Sequence, residues 1–458
     1  MAAVCGGLRL IIAMLVVSLG TAALSSAAVV EISPQTASDC HEEFEMVANT
    51  LRPGDELILR GGAYSQSCRR AISVNGTAEA PIVIRAASGE RPLITRPADH
   101  IDTRNNVEIV NSSYLIIRGL AFRGGSTGIR IRGGHHITLE DCEIYETGNN
   151  AIAVNSGNTD ALVFRRNHIH HTGLSTSVPT EGEGFYAGCN HDTCRITNSL
   201  FEGNYIHHLR GTSDGGNDGI EIKVGSYNNV VRNNVIHDTT IGRRYPCIFV
   251  YGGGRAPNIV EGNVMWNCGE AIQVVSDAVI RNNIILNSDV GITAAPHVQV
   301  PQTRNVTIAN NTLYGHGQCL HVRWGAATSM TLANNAVFCP GATAVDADGL
   351  GGSSITVSGN YVEGALAGAN LDQSRFMPGG TAAAAFTSPQ TLDFWPRPTG
   401  PLIGKADAAF VPANDFNEGP RSAAADVGAY ESDGLVSNPG WRIVPGFKQT
   451  HAAPDSAM

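Results

Sequence analysis

The chain has 458 residues, enough for one large core or two ordinary ones, with 52 glycines and only 16% charged residues. That composition excludes a mainly helical protein and points to many short strands joined by tight turns. A formal net charge of −10 argues against a general nucleic-acid binder.

Residues 1–28, "MAAVCGGLRLIIAMLVVSLGTAALSSAA", place Arg9 before an apolar stretch from Leu10 and small residues around Ala27 and Ala28. This is the layout of a secretory signal peptide, so a secreted or periplasmic protein is expected. Ser18 and Gly20 interrupt the short apolar run, which argues against a membrane anchor. No later segment is long and apolar enough to span a membrane. The segment "CHEEFEMVANTLRPGDELILRGGAY" puts Phe44, Val47, Ala48 and Leu51 on one helical face, followed by a turn and a strand. It predicts an N-terminal cap over about 40–71.

A repeat of a few dozen residues follows, irregular in length. One half reads "HITLEDCEI", "ALVFRRNHI", "NVVRNNVI", "NIVEGNVM" and onward; the other reads "GIRIR", "AIAVN", "GFYAG", "GIEIK", "CIFVY", "AIQVV". Each half alternates with period two, so each is a strand with one buried face. An Asn recurs at one position, as Asn167, Asn204, Asn234, Asn263, Asn283, Asn311, Asn335 and Asn360. Its amide can bond backbone at a turn and stack on its equivalents. Repeats of this kind stack as coils of a parallel β-solenoid, here over about 72–365. Beyond them, 366–432 reads as irregular C-terminal cover and 433–458 as tail, so that 29–432 forms one all-β domain.

Ten cysteines are present, and Cys5 leaves with the signal. Cys142 occupies the Asn position and is expected inside the core as a free thiol. Proximity suggests pairing Cys189 with Cys194, Cys247 with Cys268, Cys319 with Cys339 and Cys40 with Cys68.

In "GIEIK"-type strands the second and fourth residues are buried, so the third and fifth are expected to face solvent. The third-position column reads Arg130, Ala153, Tyr186, Glu221, Phe249, Gln273, Thr293, His321, Asp346. The fifth reads Arg132, Asn155, Gly188, Lys223, Tyr251, Val275, Ala295, Arg323, Asp348. Arginines, aromatics, a lysine and amides along one face suit an extended, hydroxyl-rich anionic chain. Coils about 4.8 Å apart let the long side chains of Tyr186 and Lys223 converge on one sugar ring. Cleaving a uronate chain by elimination needs a base beside the carboxylate, an acid for the departing oxygen, and a group that neutralises the carboxylate. Tyr is a protonated donor at neutral pH; Lys is a base only if its pKa is brought down. Glu221, two residues away on the same side, works against that. The plainer alternative is an exposed Lys–Glu pair of little consequence.

Other motifs point elsewhere. Asp214, Asp218 and Glu221 offer a calcium set, with a polar turn as the simpler reading. "HIHH" at His168 to His171 turns Ile169 inward and His168 and His170 outward, which predicts a solvated strand and not a metal site. His316 reads as a turn residue. Asn75 and Asn305 stand in glycosylation-type triplets.

The segments "LRPGDELILRGGAY", "GTAEAPIVIRA", "GEGFYAG" and "GIEIKVGSYNNVVRNN" resemble polysaccharide lyase family 31, alginate lyases on a right-handed parallel β-helix. The cap also resembles family 6 lyases, but those pair a Lys with an Arg one coil on, where Phe249 and Tyr251 stand here. The resemblance spans roughly residues 40 to 360. It implies Tyr186 as general acid and Lys223 as general base; from the outward columns, Arg130, Arg132, Asn155, Glu221, Tyr251 and Gln273 are expected to meet the substrate, Asn155 and Arg132 at the carboxylate and neighbouring subsites. The expected protein is a monomeric polysaccharide lyase acting on an anionic polysaccharide, alginate above all. No cofactor is required, calcium being an option, and neither nucleic acid nor membrane is a partner. A uronate C5-epimerase begins with the same proton abstraction, and a non-catalytic glycan-binding protein uses the same face; both remain open.

Overall fold

The computed structural model describes residues 27–434 except 35, 38–42, 99–100, 178, 213–215, 240–244 and 370. Residues 1–26 of the expected signal peptide, nearly all of the expected tail, Cys40 and Asp214 therefore lie outside the described residues. Among those described, no helix is long and apolar enough to cross a membrane.

The chain winds into a parallel β-helix. Among the described residues, thirty-seven strands join in one continuous parallel ladder, each pairing with its equivalent on the next coil. The "GIEIK" alignment is the observed register: Arg130 pairs with Ala153, Ala153 with Tyr186, Tyr186 with Glu221, Glu221 with Phe249 and Phe249 with Gln273. Ile220 and Ile222 are fully buried in the lumen, as the alternation requires.

The column of asparagines is continuous. Each Nδ2 from Asn167 to Asn335 donates to the Oδ1 of the next, ending on Asn360, at 2.8–3.0 Å. Each amide also donates to a backbone carbonyl, as Asn234 does to Phe201 O at 2.9 Å. These buried polar groups are therefore satisfied inside an apolar lumen. Free Cys142 starts the column, its backbone N–H donating to Asn167 Oδ1 at 3.1 Å. A second, shorter ladder through Ser199, Asn229 and Asn258 lines another turn.

The three predicted pairs Cys189–Cys194, Cys247–Cys268 and Cys319–Cys339 are disulfides. Cys68 is also disulfide-bonded; its predicted partner Cys40 lies outside the described residues. On one outer face Arg118, Glu140, Arg165, Glu202, Arg232, Glu261 and Arg281 follow one another, so opposite charges meet across coils.

The solenoid starts earlier than the sequence pattern suggests. Val29–Ile32 already pairs with Glu56–Leu59, and Gly62–Gln66 with Pro92–Thr95. The segment expected as cap therefore contains coil strands, because "ELIL" and "GAYSQ" alternate like any other coil. Only the helix Glu43–Ala48 is added to it, burying Phe44 and Ala48. The C-terminal segment runs along the flank. Phe386, Phe394, Leu402, Phe416 and Tyr430 pack against Val264, Ile284, Leu286, Ala336 and Phe338, which project outward from the coils.

Candidate functional site

Tyr186 lies on the strand Phe185–Ala187 and Glu221 on the adjacent strand Ile220–Ile222. Lys223 follows directly, its backbone N–H donating to Ala187 O at 2.8 Å. Tyr251 ends the third coil, its N–H donating to Ile222 O at 3.1 Å. Lys223 Nζ sits 4.3 Å from the Tyr186 ring centre and 5.2 Å from that of Tyr251, and it contacts Glu221 Oε1 directly. Two aromatic faces and one carboxylate thus hold one ammonium group.

The sequence register placed Glu221 and Lys223 in solvent, and here the structure differs. They point away from the lumen, but Lys223 is only 4% exposed, Glu221 2% and Tyr186 7%. The reason is a cover of loops. The loop clipped by Cys189–Cys194 meets residues 297–300: His191 N–H donates to Gln299 Oε1 at 2.8 Å, and Gln299 Nε2 donates to Asn190 Oδ1 at 3.1 Å. Val300 packs with Val224, Phe249, Tyr251 and Val275 in a small apolar cluster outside the lumen. His297 stands edge-on to Tyr251 and Phe249, at 4.9 and 5.6 Å.

Burial sets the electrostatics. Alone it would pull the Lys223 ammonium down, but Glu221, Tyr186 and Asp218 outweigh it and hold Lys223 at about 12. The lowered lysine pKa that a resting base needs is therefore not found. Burial also pushes the Tyr186 phenol to about 12, against the pull of Lys223, so it is a neutral donor. Tyr251 moves the same way, by burial and then the Glu221 charge. Glu221 itself is raised by burial, with Lys223 opposing.

Three further carboxyl groups surround this pair, and sequence reasoning passed over two of them, Glu181 and Glu183. Glu183 is fully buried and neither carboxyl oxygen has a hydrogen-bond partner. Burial, then the charges of Glu181, Glu221 and Asp218, raise it well above the carboxylate range. Asp218 is raised by burial and by Glu221. Among the described residues, no three acidic or histidine ligand atoms gather within 4.8 Å of one another at Asp218 and Glu221. Asp214, the third member of the expected calcium set, lies outside the described residues.

The remaining predicted residues divide. Asn155 is in the Lys223 column, separated from it by Gly188, and its Oδ1 is buried without a partner. Arg130, two coils before Tyr186, donates to Ser156 Oγ at 3.1 Å and forms no ion pair among the described residues. Arg132 is held by Glu108 at 2.9 Å. Gln273 stands one coil beyond Phe249 and is half-buried. A cleft of about 190 Å³ lined by Arg232, Glu261, Arg281, Asn414 and Glu418 lies on the strands Val230–Arg232, Asn258–Glu261 and Ala278–Arg281, not those of Tyr186 and Glu221, and offers no such constellation.

Residues 26–239 match the model for a Pel9A-like right-handed β-helix region, and 212–338 match a right-handed β-helix region. No curated protein matches the chain. Among solved structures, it is similar to an alginate lyase from Paenibacillus sp. str. FPU-7, with 20% identity and a TM-score of 0.51 over 66% of this chain and 99% of that one. It is also similar to pectate lyase Pel9A, with 14% identity and a TM-score of 0.51 over 90% and 98%. A third likeness is to the A-module of the Azotobacter vinelandii mannuronan C-5 epimerase AlgE4, with 16% identity and a TM-score of 0.51 over 76% and 98%. At these identities the likeness is one of fold, and the fold is a right-handed parallel β-helix.

Proposed function

We propose that this protein is a lyase that cleaves a uronate polysaccharide, alginate in the first place, by β-elimination at Tyr186 and Lys223. The observation that carries the reading is the Lys223 ammonium set 4.3 Å from the Tyr186 ring centre on adjacent coils, both side chains buried, with the unpartnered Asn155 Oδ1 two coils before Lys223 in the same column. Lys223 becomes a base when its proton passes to Glu221 across their direct hydrogen bond, since burial has already raised that carboxyl. The C5 proton then moves to Nζ, the C4–C5 double bond forms, and the C4–oxygen bond breaks. The departing oxygen takes the phenolic proton of Tyr186. Asn155 and Arg130 supply polar and cationic groups for the uronate carboxylate.

Incubation with alginate, pectate and chondroitin, followed at about 235 nm, tests the reading through the unsaturated uronate that only elimination creates. Absorbance growth on alginate supports it. Proton exchange at C5 without absorbance identifies a C5-epimerase, a protein to which this chain is also similar in fold. Retention of the polymer with neither change leaves a glycan-binding protein and removes the catalytic roles.

A further inference from the structure

On strands separate from those of Tyr186 and Lys223, the outward side chains of successive coils form a histidine array. Tyr145, His170, His207, His237 and Trp266 stack ring upon ring, with centroids 5.1, 5.3, 5.2 and 4.2 Å apart. His171 and His208 stack beside them at 5.2 Å. The sequence pattern predicts a solvated strand here; His168 keeps 40% exposure, but the His170 side chain is 14% exposed and that of His237 9%.

We propose that Glu143, His168 and His170 form a binding site for a divalent transition-metal ion of the zinc class, clamping two adjacent coils. The three ligand atoms lie within 4.8 Å of one another. Glu143 Oε1 is 3.1 Å from His170 Nε2 and 3.6 Å from His168 Nδ1. A tetrahedral ion with bonds of about 2.0–2.1 Å needs ligand edges of about 3.3–3.4 Å, so the groups are nearly in place. They sit on the paired strands Glu143–Tyr145 and His168–His170, whose register is fixed by backbone. Two imidazoles and one carboxylate select zinc-class ions over calcium or magnesium.

The surroundings supply an acceptor for the other N–H of each ligand imidazole, the arrangement that orients metal-bound histidines. With Nδ1 of His168 on the ion, its Nε2–H donates to His207 Nε2 at 2.8 Å. His207 Nδ1–H donates in turn to His208 Nδ1 at 2.5 Å, and His208 Nε2 faces Asp238 Oδ2 at 3.9 Å. With Nε2 of His170 on the ion, its Nδ1–H donates to His171 Nδ1 at 2.7 Å. Every ring is then neutral with one proton, and no two protons compete for one contact. Arg91 holds the other Glu143 oxygen, Oε2, and leaves Oε1 for the ion.

Calorimetric titration of chelator-treated, full-length protein with Zn²⁺, paired with thermal unfolding, tests the site. The expected result is one saturable ion per chain and a higher midpoint of unfolding with Zn²⁺. Glu143→Gln and His170→Ala should each weaken binding at least about tenfold and abolish the Zn²⁺-dependent rise. His171→Ala removes an acceptor but no ligand; it should weaken binding about tenfold while keeping one ion per chain. No saturable ion, or an affinity that neither Glu143→Gln nor His170→Ala changes, overturns the site. Should both fail to fold, an affinity unchanged in His171→Ala does so.

Discussion

Gly188 and Lys223 occupy successive places in one outward column, and a methyl group on Gly188 would lie 3.0 Å from Lys223 Cβ. The same methyl would lie 2.8 Å from Ser226 Oγ, and the backbone at Gly188 has φ +96°. The glycine therefore makes the space in which the lysine leans toward Tyr186. Gly188→Ala should shift Lys223 and lower turnover about 10²-fold, the scale of an ångström-size misplacement. It should also cost stability through the strained backbone. Steady-state kinetics beside thermal unfolding check this; wild-type turnover would show that the placement of Lys223 is irrelevant.

Lys223→Ala and Tyr186→Phe should each lower turnover about 10²-fold or more. Their stabilities should diverge. Tyr186→Phe removes only a hydroxyl, whereas Lys223→Ala leaves Glu221 buried without its counter-ion, a loss on the order of 3 kcal/mol. Urea unfolding separates the two, and equal stabilities would contradict the burial of the ion pair.

The relay makes a statement about pH. If the Lys223–Glu221 pair reacts while holding one proton, wild-type kcat is flat from above the raised Glu221 value toward the Lys223 value of about 12. Glu221→Gln removes the leading upward influence on Lys223 and lowers its pKa. The variant then must lose a proton to react, so kcat should acquire a limb rising about tenfold per pH unit. A flat profile at wild-type kcat in this variant would remove Lys223 as the base.

Glu183 makes a statement about stability. Its folded pKa is raised above the unfolded value near 4.5, so the folded chain binds the extra proton. Its contribution is complete below the unfolded value and is lost as pH rises toward the folded one, by up to about 1.4 kcal/mol per pH unit. Glu183→Gln keeps the shape without the charge and should flatten the fall in stability with rising pH. Unfolding midpoints across pH measure the slope, and an unaltered slope refutes the buried neutral acid.

The register of the solenoid was legible because period-two alternation and a repeated Asn constrain every coil in the same way. Tyr186, Glu221 and Lys223 could be placed on neighbouring coils from that alone. Their burial could not, since the covering loops contribute no period. A partial signal existed: the asparagines are 37 residues apart from Asn167 to Asn204, 20 from Asn263 to Asn283, and 28 from Asn283 to Asn311. The longest interval holds the loop at 189–194, whereas the 28-residue interval that holds 297–300 is no longer than the two between Asn204 and Asn263. Glu181 and Glu183 escaped notice because they precede the strand, where alternation says nothing about direction. The histidine array was misread because outward was equated with solvated, although ring stacking between coils desolvates an outward face.

The flanking C-terminal segment has a consequence for how the protein is made. Among the described residues, the outward side chains Val264, Ile284, Leu286, Ala336 and Phe338 are sealed by residues 382–430. A nascent chain emerges from its N-terminus, so finished coils carry an uncovered apolar stripe until residues 382–430 have been synthesised. For that interval the growing helix has two sticky surfaces, its unpaired end strand and this flank. The end strand is covered coil by coil, but the flank waits for the closing segment, which makes truncation before residue 382 an aggregation hazard even where every coil has formed.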